Sequence, residues 1–150
     1  MVKAPMPNLP VSTQRFSTSA WSPRECVPAW RDLYGRTIAK LEFEPLSADR
    51  LVAEATLQKL PGLSIVSMAS TGLRFRKSPE LIDDDGLILA IIDSGNWTGS
   101  QLGREARVEA GDAVLCTNAE VACGVTFGRR IMFRVPAERG GRRRAAGRSL

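Results

Sequence analysis

Apolar and polar residues alternate along most of this chain with a period of two, in short runs. In the segment Leu73-Arg74-Phe75-Arg76-Lys77, positions 73, 75 and 77 take one side and the two arginines the other, as on a β-strand. Runs of this kind predict strands at 39–44, 51–60, 63–70, 73–77, 87–94, 106–110, 113–117, 121–127 and 130–135. Turn residues separate them: Pro61-Gly62, Gly72, Pro79, Gly86, Gly95, Gly103, Gly111-Asp112 and Gly128. Many short strands at this spacing imply a mainly-β domain, a sandwich or barrel. No helical pattern alternates with them, so a parallel α/β sheet is not expected.

One segment follows the helical period. Ser22-Pro23-Arg24-Glu25 has serine at N-cap, proline at the first helical position and glutamate two further on, the arrangement of a capping box. Val27, Trp30 and Tyr34 then share a face, with Cys26 and Leu33 beside it, and Gly35 is placed to stop the helix. Pro28 conflicts with a start at Ser22, because an interior proline removes a backbone bond. Either the helix begins later or its first turn is kinked.

The ends differ from this body. Residues 1–15 carry Pro5, Pro7 and Pro10 among small and polar residues and read as an extended arm. The arm lacks the apolar segment of a signal peptide, and no apolar run approaches a membrane span, so a cytoplasmic protein without membrane contact is expected. Residues 139–150 read as a disordered basic tail with little to bury. The net charge of +5 arises there: the tail holds five of the 21 basic residues and no acid, leaving 16 basic against 16 acidic residues before it. A basic groove needs charge clustered on a folded face. Only weak, sequence-independent nucleic-acid contact through the tail is therefore expected.

Candidate chemistry is sparse. With no histidine, the chain lacks the commonest metal ligand and the commonest general base. Cys26, Cys116 and Cys123 are too few and too irregular for a disulfide framework, and read as buried free thiols; a redox pair of Cys116 and Cys123 is the alternative. The triplet Asp83-Asp84-Asp85 before Gly86 reads as a solvated turn. No catalytic residue, metal site or cofactor is expected. Arg74, Arg76, Lys77, Arg104 and Arg107 are candidates to pair with an anionic ligand, against the plainer reading of a solvated strand face. Trp97, just past Gly95, is a candidate to stack on a ligand or to pack at the rim. Gly111-Asp112 predicts a tight structural turn between two strands.

Several stretches in order resemble the N-terminal cupin-like domain of AraC/XylS-type transcription regulators, in the AraC-binding-like subgroup. They are PREC and PAWRDLYGR at 23–36, LRFRKSPELI at 73–82, LILAIIDSG at 87–95, QLGREARVEAGDAVL at 101–115 and RIMFRVPAE at 130–138. The resemblance covers residues 16–138. It implies a cupin-like β-barrel or jelly roll with a short N-terminal helix, binding an unknown small-molecule effector and forming a homodimer. It further implies that an N-terminal arm can fold over the effector. Relatives continue into helix-turn-helix units, which this chain does not show; the expectation is a regulatory half truncated before its DNA-binding domain, without sequence-specific DNA binding of its own. Metal cupins rely on histidines, absent here. The alternatives are a small cupin-type enzyme, isomerase-like, or a free-standing small-molecule-binding protein.

Overall fold

The computed structural model describes residues 12–47 and 50–136. The expectations for the arm up to residue 11 and for the basic tail lie outside the described residues. Within them the chain forms β1 (Ser12–Ser17), α1 (Cys26–Thr37), β2 (Glu42–Pro45), β3 (Ala53–Leu60), β4 (Leu63–Lys77), β5 (Leu87–Ile92), β6 (Asn96–Gln101), β7 (Arg104–Glu109), β8 (Ala113–Thr117) and β9 (Ala122–Val135). Residues 12–15, read as arm, belong to β1, which pairs with β3.

Two long strands form the spine. β4 and β9 are antiparallel neighbours from Ser64↔Arg134 to Lys77↔Ala122. Each remaining strand uses only half of that ladder. At one end β3 flanks β4 and β5 flanks β9, with β1 and β8 outside them. At the other end β2 flanks β4 and β6 flanks β9, with β7 outside β6. The result is two half-sheets sharing a bent spine, a mainly-β, antiparallel, cupin-like architecture with one short helix near its start.

The bend has a local cause. The β4–β9 register shifts between Ser70 and Leu73, a bulge, and Gly128 in β9 adopts φ 95°. A Cβ on Gly128 would collide with the Ser94 carbonyl oxygen, so only glycine fits there. The separate strands expected at 63–70 and 73–77 are thus one bent strand, and those at 121–127 and 130–135 are another. A bulge and a glycine read as breaks in the sequence, whereas the backbone continues pairing on both sides of them. β6 was not anticipated, because NWTGSQ has no apolar alternation; it is held by pairing with both β7 and β9.

The helix begins later than Ser22. Glu25 is its N-cap residue and Cys26 its first helical residue, which places Pro28 in the first turn, where its missing N–H costs nothing. The Ser22–Glu25 contact is real but belongs to the preceding turn: Glu25 Oε2 accepts from Ser22 Oγ at 2.8 Å and from Ser22 N at 3.2 Å. Gly35 lies inside the helix, which ends at Thr37. Cys26, Trp30, Leu33 and Tyr34 are buried and join Leu57, Val66, Met68 and Met132 in one core. Burial of such side chains is worth roughly 1.5–3 kcal/mol each, and it fixes the helix over the interior of the sheets.

Candidate functional site

The two half-sheets do not close on each other completely. A cavity of about 70 Å³ remains between them. Its walls are mostly apolar, with Phe43, Phe75, Trp97, Ile88, Ala90 and Met132 facing inward. Phe75 and Trp97 stack with ring centroids 5.7 Å apart and an interplanar angle of 28°. They rest on small partners: in the cross-strand register Gly124 sits between Phe75 and Gly99, and a Cβ on Gly99 would lie 2.6 Å from the Trp97 ring.

Polar groups enter this apolar space at a few points. Arg130 of β9 is 3% exposed, and its Nη1 donates to Ser70 Oγ and to the Gly128 carbonyl, both at 3.2 Å. Burial pushes its pKa below the ordinary arginine value, opposed by the neighbouring Tyr34. Tyr34 is itself buried, and burial raises its phenol to about 12. Its hydroxyl donates to Met132 Sδ at 3.4 Å, a weak acceptor. Lys77, at the end of β4, is 3% exposed and donates from Nζ to the Lys40 carbonyl at 2.9 Å. Burial lowers its pKa, while Asp83 and Asp84 nearby act in the opposite direction. Burial raises the thiol of Cys116.

One end of the cavity is closed by a polar network. Asn118, buried, donates from Nδ2 to the Ile38 carbonyl at 3.3 Å and to Asp84 Oδ1 at 3.2 Å. Asp84 also accepts from Gly86 N at 2.8 Å and from Arg134 Nη2 at 2.9 Å. Burial would raise the Asp84 pKa, but these hydrogen bonds and the Arg134 charge outweigh it and hold it below the usual carboxylate value. The Asp83-Asp84-Asp85 triplet is thus not simply a solvated turn: Asp84 anchors the network and Asp83 pairs with Lys40 at 2.9 Å.

The residues proposed from sequence divide clearly. Trp97 lines the cavity, and so does Lys77. Arg74, Arg76, Arg104 and Arg107 are exposed on outer faces; Arg74 lies 3.9 Å from Glu44, with both side chains more than half exposed. Alternation explains this, since Arg74 and Arg76 are out of phase with Phe75 and Lys77. Gly111 has φ 94°, and Asp112 Oδ2 accepts from Glu109 N at 3.2 Å, in the turn between β7 and β8. Cys26 is buried, whereas Cys123 is exposed beside Ser100. Cys116 lines the cavity and Cys123 faces outward next to the inward-facing Ala122, so the two thiols occupy opposite sides of the barrel wall. Arg130 and Gln101 were not anticipated, and Tyr34 was read as packing alone.

Fold and cavity together define a cupin-like β-barrel domain with an internal, largely apolar site. Among solved structures, it is similar to the AraC-like transcriptional activator CuxR, with a TM-score of 0.72 at 16% identity, over 83% of this chain and 47% of that one. The chain therefore spans about half the length of that activator, and the likeness establishes a shared fold. Also similar are an RmlC-like cupin from Shewanella frigidimarina NCIMB 400 (16% identity, 66% of this chain and 86% of that one, TM-score 0.42) and KdgF from a Halomonas species (13% identity, 65% and 87%, TM-score 0.42). No family model and no curated protein matches the sequence.

Proposed function

We propose that this chain is the effector-binding and dimerisation domain of an AraC-type transcription regulator, working in the cytoplasm by enclosing a small molecule. The observation that carries the reading is the cavity between the half-sheets, walled by Phe75, Trp97 and Met132 and entered by only a few polar groups. The fold shared with an AraC-like activator supports it. Binding is favoured over catalysis because no carboxylate lines the cavity among the described residues. Its phenol and its thiol are both held protonated by burial. The helix α1 spends its apolar face on the core, so it is not free to enter a DNA groove, and these residues alone are expected to show no sequence-specific DNA affinity.

The outer wall supports the self-association in this reading. Leu115, Leu89, Phe133 and Ile65 form one cross-strand row over β8, β5, β9 and β4. Leu115 is 64% exposed, and Leu87 and Val135 form a second exposed pair beside it. Contiguous apolar surface of this kind marks an interaction face. In sedimentation velocity, the wild-type chain should associate with rising concentration and a Leu89→Lys/Leu115→Lys double variant should not. Identical behaviour of the two would remove this face from the reading.

Effector binding is tested by NMR titration of the ¹⁵N-labelled chain with a panel of small neutral and anionic compounds. Shifts confined to residues around Trp97 and Met132 support an internal binding site. A panel that moves none of them would sink the proposal.

A further inference from the structure

The cavity contains a cation that the fold does not neutralise. Among the described residues Arg130 has no carboxylate within ion-pair distance, and its hydrogen bonds are the two made by Nη1. An arginine buried to this degree ordinarily has an anionic partner, because taking the guanidinium out of water costs several kcal/mol unless a counter-charge offsets it. Lys77, the second buried cation on the same cavity, has among the described residues no carboxylate within ion-pair distance, although Asp83 and Asp84 act on it from farther away, and it donates to one carbonyl. The cavity wall therefore carries two positive charges and, among the described residues, no negative one.

Resting on the reading of this cavity as the effector site, we propose that its ligand is a small organic monocarboxylate whose carboxyl group pairs with Arg130. Guanidinium offers two parallel donors that match a carboxylate, and Arg130 has donors to spare. The Tyr34 hydroxyl gives its one proton to a thioether sulfur, a weak acceptor that a carboxylate can replace. The Phe75–Trp97 stack and Met132 provide an apolar surface for the carbon skeleton. The cavity of about 70 Å³ is small and suits a carboxyl head with a short carbon chain. A phosphate dianion fits less well, since the walls are largely apolar and offer few further donors. Lys77 lies at the end closed by Asp84 and Asn118, and contributes to the positive potential without being the anchor.

Propionate and propionamide have nearly the same shape and differ in charge, which makes them suitable probes. The ¹⁵N-labelled full chain is titrated with each, for wild type, Arg130→Met, Arg130→Lys and Lys77→Met. The dispersion of each spectrum shows whether the variant is folded. Wild type is expected to bind propionate at least roughly tenfold more tightly than propionamide, a charge-assisted pair being about twice as strong as a neutral one. Arg130→Met should abolish that preference, Arg130→Lys should keep a weakened form of it, and Lys77→Met should lower it by less than Arg130→Met does. If Arg130→Met does not fold, the weakening in Arg130→Lys decides. Equal binding of the two probes, or a preference that survives Arg130→Met, overturns the inference while leaving a small-molecule site in place. A preference lost in Lys77→Met but kept in Arg130→Met overturns the assignment to Arg130. If the cavity resonances move with neither probe and with no member of the wider panel, the effector-site reading itself fails.

Discussion

The side chain of Gln101 closes the barrel onto Thr117: its Nε2 donates to the Thr117 carbonyl at 2.8 Å, and its Oε1 accepts from the Thr117 amide at 3.0 Å. Gln101 ends β6 and Thr117 ends β8, so an amide side chain makes the bridge that a backbone strand would otherwise make between the half-sheets. Both residues line the cavity. Gln101→Leu keeps the bulk and removes these two bonds together with a longer one from Nε2 to the Glu120 carbonyl at 3.3 Å. With about 0.5–1.5 kcal/mol net per bond, urea unfolding should show a loss of about 1.5–4.5 kcal/mol. A loss below about 0.5 kcal/mol would mean that the seam is held by something else.

Much of this fold was legible because strand alternation is a local property. Leu73, Phe75 and Lys77 were read as one face, and they are the buried face. The same alternation placed Arg74 and Arg76 on the other side; choosing them as ligand groups weighed charge above phase. Arg130 was harder. It follows Arg129, and which of the two points inward depends on the bend at Gly128, a feature of the β4–β9 pairing. Gln101 was invisible for a related reason: its partner is fixed only when β6 meets β8 across the barrel. Trp97, a large aromatic beside a glycine turn, lines the cavity.

Two glycines with nearly equal φ should respond differently to substitution. Gly111 has φ 94° and nothing within 4 Å of where a Cβ would stand. Gly128 has φ 95° and the Ser94 carbonyl in that position. Gly111→Val should therefore lose about 1–3 kcal/mol, the cost of strained backbone alone. Gly128→Val adds a collision at the bend and should lose more than about 4 kcal/mol. Thermal denaturation of both variants checks this, and equal losses would contradict the packing at the bend.

The thiols should react in a fixed order with an aromatic disulfide reagent. Cys123 is exposed and should react first. Cys116 is half-buried, and burial raises its thiol pKa, so thiolate is scarce and its reaction slow. Cys26 is fully buried and donates to carbonyls of the preceding turn, so it should wait for unfolding. Oxidation of the folded monomer should yield no Cys116–Cys123 disulfide. Peptide mapping that recovered that link from folded monomer would show the two thiols meeting through the wall.

The sequence has one tyrosine, so phenolate absorbance reports Tyr34 directly. In the folded protein it should ionise near 12, against 10.0 for the ordinary phenol, because burial disfavours the charged form. The folded pKa is the higher one, so the folded state binds more protons between these values. Tyr34 thus contributes stability that is fully present below pH 10 and lost as pH rises through about 12. Titration in urea should return it to the ordinary value. A native midpoint near 10 would place the hydroxyl in contact with water and open the cavity wall beside Arg130.

Arg130→Met separates stability from binding. In the unliganded protein Arg130 carries a buried charge with two hydrogen bonds and no counter-ion among the described residues. Methionine has a similar length, fills irregular apolar space and needs no partner. Replacing buried charges by well-packed apolar groups is often neutral or stabilising by about 1–4 kcal/mol. The substitution leaves Ser70 Oγ without its donor, which subtracts from that gain by about 1 kcal/mol. Without ligand, Arg130→Met should be as stable as wild type or more so, by up to about 3 kcal/mol. Propionate at one fixed concentration should then raise the melting temperature of wild type by more than that of the variant, because only the protein that keeps its guanidinium gains the charge pair. A large loss of stability in Arg130→Met without ligand would show that the fold itself already satisfies the arginine, and that its charge is structural.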